Sequence, residues 1–252
     1  MMLPPALRRI ALPALMALVL AVLVWAALTT PGFFTLGNAQ AILTSTVFVG
    51  MVAVGMTLIM VSGSFVSLAL ATTTTISAMI FMACLSWGVL PAIIFTLLAA
   101  TVLGAVQGVV IGGWNANPII VTIAAAAIME GVAVSMSQGV TINPVGLDYR
   151  VLNSLFFGLP LGVYVLAALV ICVEAGMRLT AFGRMVYLVG DNRAAARAAA
   201  LPLGRVGAGV FAIASMCAAL AGVFMASFNH SASLLLSRGT LGYDAIAAVL
   251  IG

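Results

Sequence analysis

Long unbroken apolar runs, not the short alternations of a soluble fold, set the pattern of this chain. Crossing roughly 30 Å of hydrocarbon takes about 20 apolar residues in a helix. Seven windows meet that length: Ile10–Leu28, Ala39–Val61, Phe65–Leu85, Val89–Ile111, Pro118–Met136, Leu155–Val173 and Val206–Phe228. Turn-forming stretches divide them, among them Thr29-Thr30-Pro31-Gly32, Ser62-Gly63-Ser64, Gly112–Asn117 and the polar run Ser137–Asn153. The first window follows Arg8 and Arg9 as a signal peptide would, but its length suits a retained span better than a short signal core. Gly, Ala, Ser and Thr fill many positions in the windows, which predicts helices packed on one another. The expected fold class is all-α, a polytopic membrane helical bundle, with residues 1–252 forming one transmembrane domain. Asp244–Gly252 is too short to cross: it is either a re-entrant half-helix or, the favoured reading, a truncated eighth span with a C-terminal part lying beyond it.

Composition sharpens this picture. Apolar residues make up 65% of the chain and charged residues 6%, against roughly 25% charged in soluble domains. No Asp, Glu, Lys, Arg or His occurs from Ile10 to Met129. A soluble enzyme, a disordered tail and a nucleic-acid binder are excluded, and the bilayer is the expected environment. Lysine is absent, so there is neither a Walker A phosphate loop nor a Schiff-base lysine. No cofactor is expected on this chain; if ATP is used, ATP and Mg belong to another subunit. Cys84, Cys172 and Cys217 each sit within apolar runs, and one histidine, His230, makes no metal cluster alone.

The arginines orient the bundle. Arg8 and Arg9 precede the first window, while Arg178, Arg184, Arg193, Arg197 and Arg205 fall between the sixth and seventh. Six crossings place these two clusters on one face, leaving Arg150 and Arg238 for the other. The positive-inside rule then makes the N-terminus and the 176–205 loop cytoplasmic.

Within that loop, Asp191 or Asn192 can cap a short alanine-rich helix of about nine residues that Pro202 ends. Arg193 and Arg197 stand four apart on one face of it. A helix that short is marginal in water. It needs a docking partner or a bed of anionic lipid headgroups, and the physics leaves both open.

The wording of this loop resembles a known family. Gly183-Arg184-x-x-Tyr187-x-x-Gly190-x-Asn192-x-x-Ala195-Ala196-Arg197 looks like the cytoplasmic coupling loop of ribose-type ABC importer permeases, in the branched-chain amino acid/sugar permease superfamily. Gly55-Met-Thr-Leu, Asn117-Pro-x-Ile-Val-Thr-Ile, Ala219-x-Ala221-Gly222 and Asp244-Ala-Ile-Ala-Ala-Val-x-Ile-Gly extend the resemblance from about residue 38 to the last residue. It implies a permease subunit in the bacterial inner membrane, paired with a second permease copy or a homologue. Cytoplasmic ATPase subunits would drive it, a periplasmic solute-binding protein would feed it, and a monosaccharide or related polyol would be its cargo. Gly183, Arg184, Gly190, Asp191, Asn192, Arg193, Ala196 and Arg197 would carry the ATPase coupling. The chain departs from the pattern at Ser62–Ala69, which lacks the family's acid, at Gln107 where Asn is common, and at Glu130 where many members have Arg.

Glu130 is the one charged residue inside a predicted window, so it is expected either to face a cavity or partner or to lie near the outer interface. Thr72 to Thr75 put four hydroxyls on consecutive helical positions, with Thr72 and Thr75 on one face. Bonding back to their own helix is one reading; a polar wall for a hydroxyl-rich solute is the other. Thr72, Thr75, Gln107 and Glu130 are the candidate pathway residues. Gly104-x-x-x-Gly108-x-x-x-Gly112 is read as a helix-packing face. Two competing classes remain. A self-contained secondary transporter or channel would need a midplane coupling site, for which Glu130 is the sole candidate. An intramembrane enzyme would need a base beside a nucleophile, and the single histidine lies outside the windows.

Overall fold

The computed structural model describes residues 21, 22, 24, 25, 27, 29, 33–64, 66–143, 150–234 and 240–251. Most of the first apolar window, together with Arg8, Arg9, Asp148 and Arg238, lies outside the described residues. The chain divides into two units, 1–43 and 44–252. In the first, the side chain of Asn38 donates to the Phe33 carbonyl at 2.8 Å, just ahead of the first long helix.

Nine α-helices are described: α1 (Leu36–Val61), α2 (Ala69–Cys84), α3 (Val89–Gly113), α4 (Pro118–Ser137), α5 (Leu161–Leu179), α6 (Ala181–Asp191), α7 (Arg193–Ala198), α8 (Leu203–Asn229) and α9 (Leu241–Ile251). Six of the segments are long and apolar enough to cross a membrane: α1, α2 with its 3-10 extension to Trp87, α3, α4, α5 and α8. They correspond to the second through seventh windows. α4 starts where the sequence says it should, with Pro118 in its first turn and the Asn117 side chain accepting from the Ile119 amide at 3.0 Å.

The sixth window is displaced. Its first residues form a hairpin of β1 (Leu155–Phe156) and β2 (Leu159–Pro160), and α5 begins only at Leu161. Phe157 and Gly158 both take positive φ, at 48° and 82°, as a two-residue hairpin turn requires. An apolar run cannot distinguish a greasy hairpin from the first turns of a helix. The helix extends correspondingly further, to Leu179, bringing Glu174 and Arg178 into its last turns as an exposed i,i+4 ion pair. α9 likewise begins at Leu241, so Asp244 lies in its first turn rather than at its start.

α8 is the central post. Fifteen of its residues are buried, and it packs along α3 and α2. The α3–α8 seam is built from glycine. A Cβ on Gly104, Gly108 or Gly112 would come closer than 3.0 Å to the carbonyl oxygen of Phe211, Gly207 or Leu203, respectively. The Gly104–Gly108–Gly112 face is therefore a packing face, as its spacing implies. Gly222 meets the Thr74 carbonyl on α2, and Gly55 of α1 meets Ala214.

Replacing Gly108 by Leu must force α3 off α8, because the obstacle is backbone rather than a movable side chain. The expected loss is at least the ~1–3 kcal/mol of core overpacking, seen as a lower unfolding temperature or aggregation on size exclusion in detergent. Gly131→Ala, with nothing within 4 Å of its added Cβ, leaves both readouts unchanged or slightly improved.

Candidate functional site

The 176–205 region begins as the end of α5 and folds into α6 and α7. Thr180 makes the elbow: its hydroxyl donates to the Gly176 carbonyl at 2.6 Å and accepts from the Gly183 amide at 3.2 Å, capping α6. Gly183 lies so close to the Met177 carbonyl that no side chain fits. α6 is amphipathic. Val186 and Val189 are buried, with Phe182 and Met185 half-buried, while Arg184, Tyr187 and Leu188 are exposed. Gly190 closes its end against Val61 at the end of α1 and against Gly63, whose φ is +74°. The two glycines of the loop motif thus serve contact between backbones: Gly183 turns α6 on α5, and Gly190 seats α6 on α1.

The loop helix itself differs from expectation. α7 has six residues, not about nine, and Asp191 belongs to α6. Asn192 is the cap; its backbone is extended and its side chain accepts from the Ala195 amide at 3.0 Å. Ala200 takes φ +57° and ends the helical path before Pro202 is reached. Ala196 is the buried alanine of α7, and the helix docks through it.

The two arginines also part company. The Arg193 guanidinium turns inward and donates from Nη2 to the Ile111 carbonyl at 2.7 Å, while Arg197 stays exposed. Ile111 is among the last residues of α3, whose terminal carbonyls have no intrahelical donor and whose dipole favours a cation. Burial, and secondarily Arg197, lower the Arg193 pKa, but an arginine remains charged at any physiological pH. Its Nε is buried without a partner among the described residues. Arg193 is thus a tie between loop and bundle, and Arg184, Arg197 and Arg205 form the exposed positive surface.

Thr73, Thr74 and Thr75 donate to the carbonyls of Ala69, Leu70 and Ala71 at 2.8, 3.0 and 3.2 Å. The bonding-back reading therefore holds for those three. Thr72 makes no hydrogen bond among the described residues. Gln107 is buried on α3. Glu130 is half-buried on α4, next to Met129, whose sulfur lies 3.8 Å from the Thr73 hydroxyl.

Two features escaped the sequence reading. α6 was legible from apolar positions 182, 185, 186 and 189, a helical stripe hidden behind the more conspicuous alanines. The second is Ser67, in the non-helical stretch between α1 and α2, whose buried hydroxyl has no partner among the described residues. No pattern of residue types signals an unpaired hydroxyl.

Fold and loop together define a multi-pass membrane protein with a basic loop packed on the ends of its spans. The family described as branched-chain amino acid transport system / permease component matches residues 38–252. The ribose import permease protein of Escherichia coli (strain K12) is 27% identical over 231 residues, 88% of this chain and 71% of that protein. The L-arabinose transport system permease protein of the same strain is 30% identical over 244 residues, 90% of this chain and 69% of that protein. The ribose import permease protein of Bacillus subtilis (strain 168) is 27% identical over 227 residues, 88% of this chain and 70% of that protein. No solved structure matches the chain. The chain belongs to the branched-chain amino acid transport system permease family, a family of transport subunits rather than enzymes.

Arg193→Ala should free the loop from the end of α3. The expected result is faster amide hydrogen exchange across residues 181–200, by about ten- to a hundredfold for a charge-assisted bond of ~1.5–3 kcal/mol, with the six spans unaffected. Arg197→Ala leaves that exchange unchanged.

Proposed function

We propose that the chain is the permease subunit of a bacterial inner-membrane ABC importer whose cargo is a monosaccharide or related polyol. The family membership carries the importer reading. The similarity to ribose and L-arabinose permeases supports the cargo. The N-terminus and the 176–205 loop face the cytoplasm in this reading, as the excess of arginines on that loop favours. ATP and Mg act on separate ATPase subunits, a second permease copy completes the pore, and a periplasmic binding protein delivers the solute.

The loop is the ATPase-coupling element, with its residues in two roles. Arg184, Asp191 and Arg197 are exposed and meet the ATPase. Gly183, Gly190, Asn192, Arg193 and Ala196 hold α6 and α7 against the bundle, so that a push on the loop is transmitted instead of absorbed. ATP-driven closure of the ATPases then biases which side of the bundle is open. Thr72, Thr75, Gln107 and Glu130 are proposed to border the path, Glu130 by facing the second copy or the cavity. A self-contained transporter would need an ionisable coupling site at the midplane. Glu130 is the one ionisable residue along α4 and makes no hydrogen bond or ion pair among the described residues, a thin basis for a relay.

The test is co-purification and uptake after co-expression with the genomic neighbours of the chain. Reversing both exposed arginines, Arg184→Glu with Arg197→Glu, should release the ATPase, lowering its recovery about tenfold or more if each rim charge contributes ~1 kcal/mol. Vesicles of the intact complex should accumulate labelled D-ribose or L-arabinose only with ATP inside. ATPase binding that survives the double reversal would sink the coupling assignment. Uptake of leucine in place of either sugar would sink the cargo assignment.

A further inference from the structure

The hairpin ahead of α5 presents aromatic rings that the rest of the chain leaves uncovered. Phe157, in its turn, is 92% exposed, and Phe156 beside it is also exposed. Its base is nonetheless fixed. Asn153 donates from Nδ2 to the Ser227 carbonyl at 2.8 Å, tying the approach to the hairpin to the end of α8. The Leu161 amide donates to the Ser154 carbonyl at 3.1 Å and closes the base. Tyr164, one turn into α5, donates its hydroxyl to the Phe156 carbonyl at 3.0 Å. The rings of Phe156 and Tyr164 meet edge to face at 6.4 Å, and those of Phe156 and Phe157 at 5.4 Å. The row of rings thus continues the side of α5 on which exposed Tyr164 and Ile171 lie, seven residues apart on one helix face.

Element lengths place this row in the bilayer. α5 has 19 residues, about 28 Å of helix against ~30 Å of hydrocarbon. Its end runs into the basic loop, so its start, with the hairpin, reaches the hydrocarbon boundary on the opposite side. α3 is an independent gauge. Its 25 residues measure about 37 Å, approaching the ~40–45 Å of a bilayer with its headgroups. Exposed tryptophans, Trp87 and Trp114, stand just beyond its two ends, the level that tryptophan and tyrosine favour. The Arg193 bond puts the end of α3 beside the loop, so Trp87 marks the same side as the hairpin. There Trp87 also pairs edge to face with Phe95 at 5.7 Å. A face that docks a soluble partner has a polar rim, whereas no ionised residue occurs between Arg150 and Glu174. Uncharged rings beside a tyrosine hydroxyl fit the boundary between headgroups and acyl chains.

We infer that the hairpin of β1 and β2 is a membrane-interface anchor, with Phe156 and Phe157 inserted at the headgroup–acyl boundary of the leaflet opposite the basic loop. Its occupant is lipid. The anchor sets the depth of α5 at one end, while Thr180 turns the same helix into the loop at the other. It requires only that the chain span a bilayer, and it stands whatever the cargo.

The experiment uses the full chain in nanodiscs of phosphatidylethanolamine and phosphatidylglycerol. An NBD fluorophore is attached to Phe157→Cys after Cys84→Ala, Cys172→Ala and Cys217→Ala. Lipids carrying a doxyl group near the headgroup should quench it more strongly than lipids carrying one near the acyl terminus, and aqueous iodide should leave it bright. A second measurement needs no cysteine replacement. Phe157→Ser should speed hydrogen exchange of the amides at 155–161 about tenfold, as expected for a ring withdrawn from an apolar setting, while Phe157→Trp keeps the wild-type rate. Phe157 is too exposed within its own chain for that loss to arise from internal packing. Quenching by iodide and by neither lipid would overturn the inference by placing the tip in water. A fluorophore that neither iodide nor lipid reaches would overturn it in favour of a second copy or another protein as the cover. Wild-type exchange in Phe157→Ser would overturn it as well.

Discussion

Everything in the bundle depends on how closely α3 and α8 approach. In water, apolar faces are driven together by release from solvent. In lipid that drive is absent, because the acyl chains are as apolar as the side chains. What remains is contact itself, and contact between helix backbones is possible only where side chains are missing. Gly104, Gly108 and Gly112 supply that on α3, and Gly207 on α8. Once the seam is made, α8 offers its other faces to α2 through Gly222 and to α1 through Ala214, against which Gly55 rests. α2 becomes the most enclosed of the six span-length helices for this reason. The four consecutive threonines at its heart are tolerable there because three of them bond to their own helix.

The seam also determines where a loop can take hold. The Arg193 bond to Ile111 is made at the end of α3, one residue before Gly112 and beside the start of α8. Ser62, Val189, Leu203, Val206 and Gly207 gather around the same point. A loop attached there bears on the seam directly, whereas one attached to the side of a helix would only bend it. Gly190 makes the second attachment, to Val61 and Gly63. The positive charges left over on the exposed face can then be given to a partner without loosening the bundle.

Much of this was legible in the sequence because lipid allows few solutions. Six apolar windows became six long helices, since a spanning segment must satisfy its backbone internally. The glycine spacing on α3 declared a packing face, and Asn117-Pro118 declared a helix start. What stayed hidden depends on hydrogen bonding and direction rather than on residue type. Leu155–Pro160 is as apolar as the helix it precedes, yet Phe157 and Gly158 turn it into a hairpin. Arg193 and Arg197 share a helix and a spacing, but a free carbonyl on α3 draws only one of them inward. Gly183 and Gly190 look like loop punctuation in the sequence, and only the neighbouring backbone shows why no Cβ fits.

Non-helical backbone within a membrane-spanning bundle is tolerated only where protein covers it or where it lines a cavity. The stretch between α1 and α2 meets both conditions. At one end Gly63, in a left-handed conformation, lies against Gly190 of the loop; at the other, Ser67 and Leu68 border a cavity of about 210 Å³. Three residues, 64–66, therefore separate the contact with the loop from the contact with the cavity. Its amides lean on a thioether and a threonine hydroxyl, weaker restraints than a helical ladder. This segment is held against α6 at its head and by two long bonds, from Ser67 and Leu68, at its α2 end. Contiguity of this kind supplies a route between two sites; coupling requires that the segment have two arrangements which both ends bias.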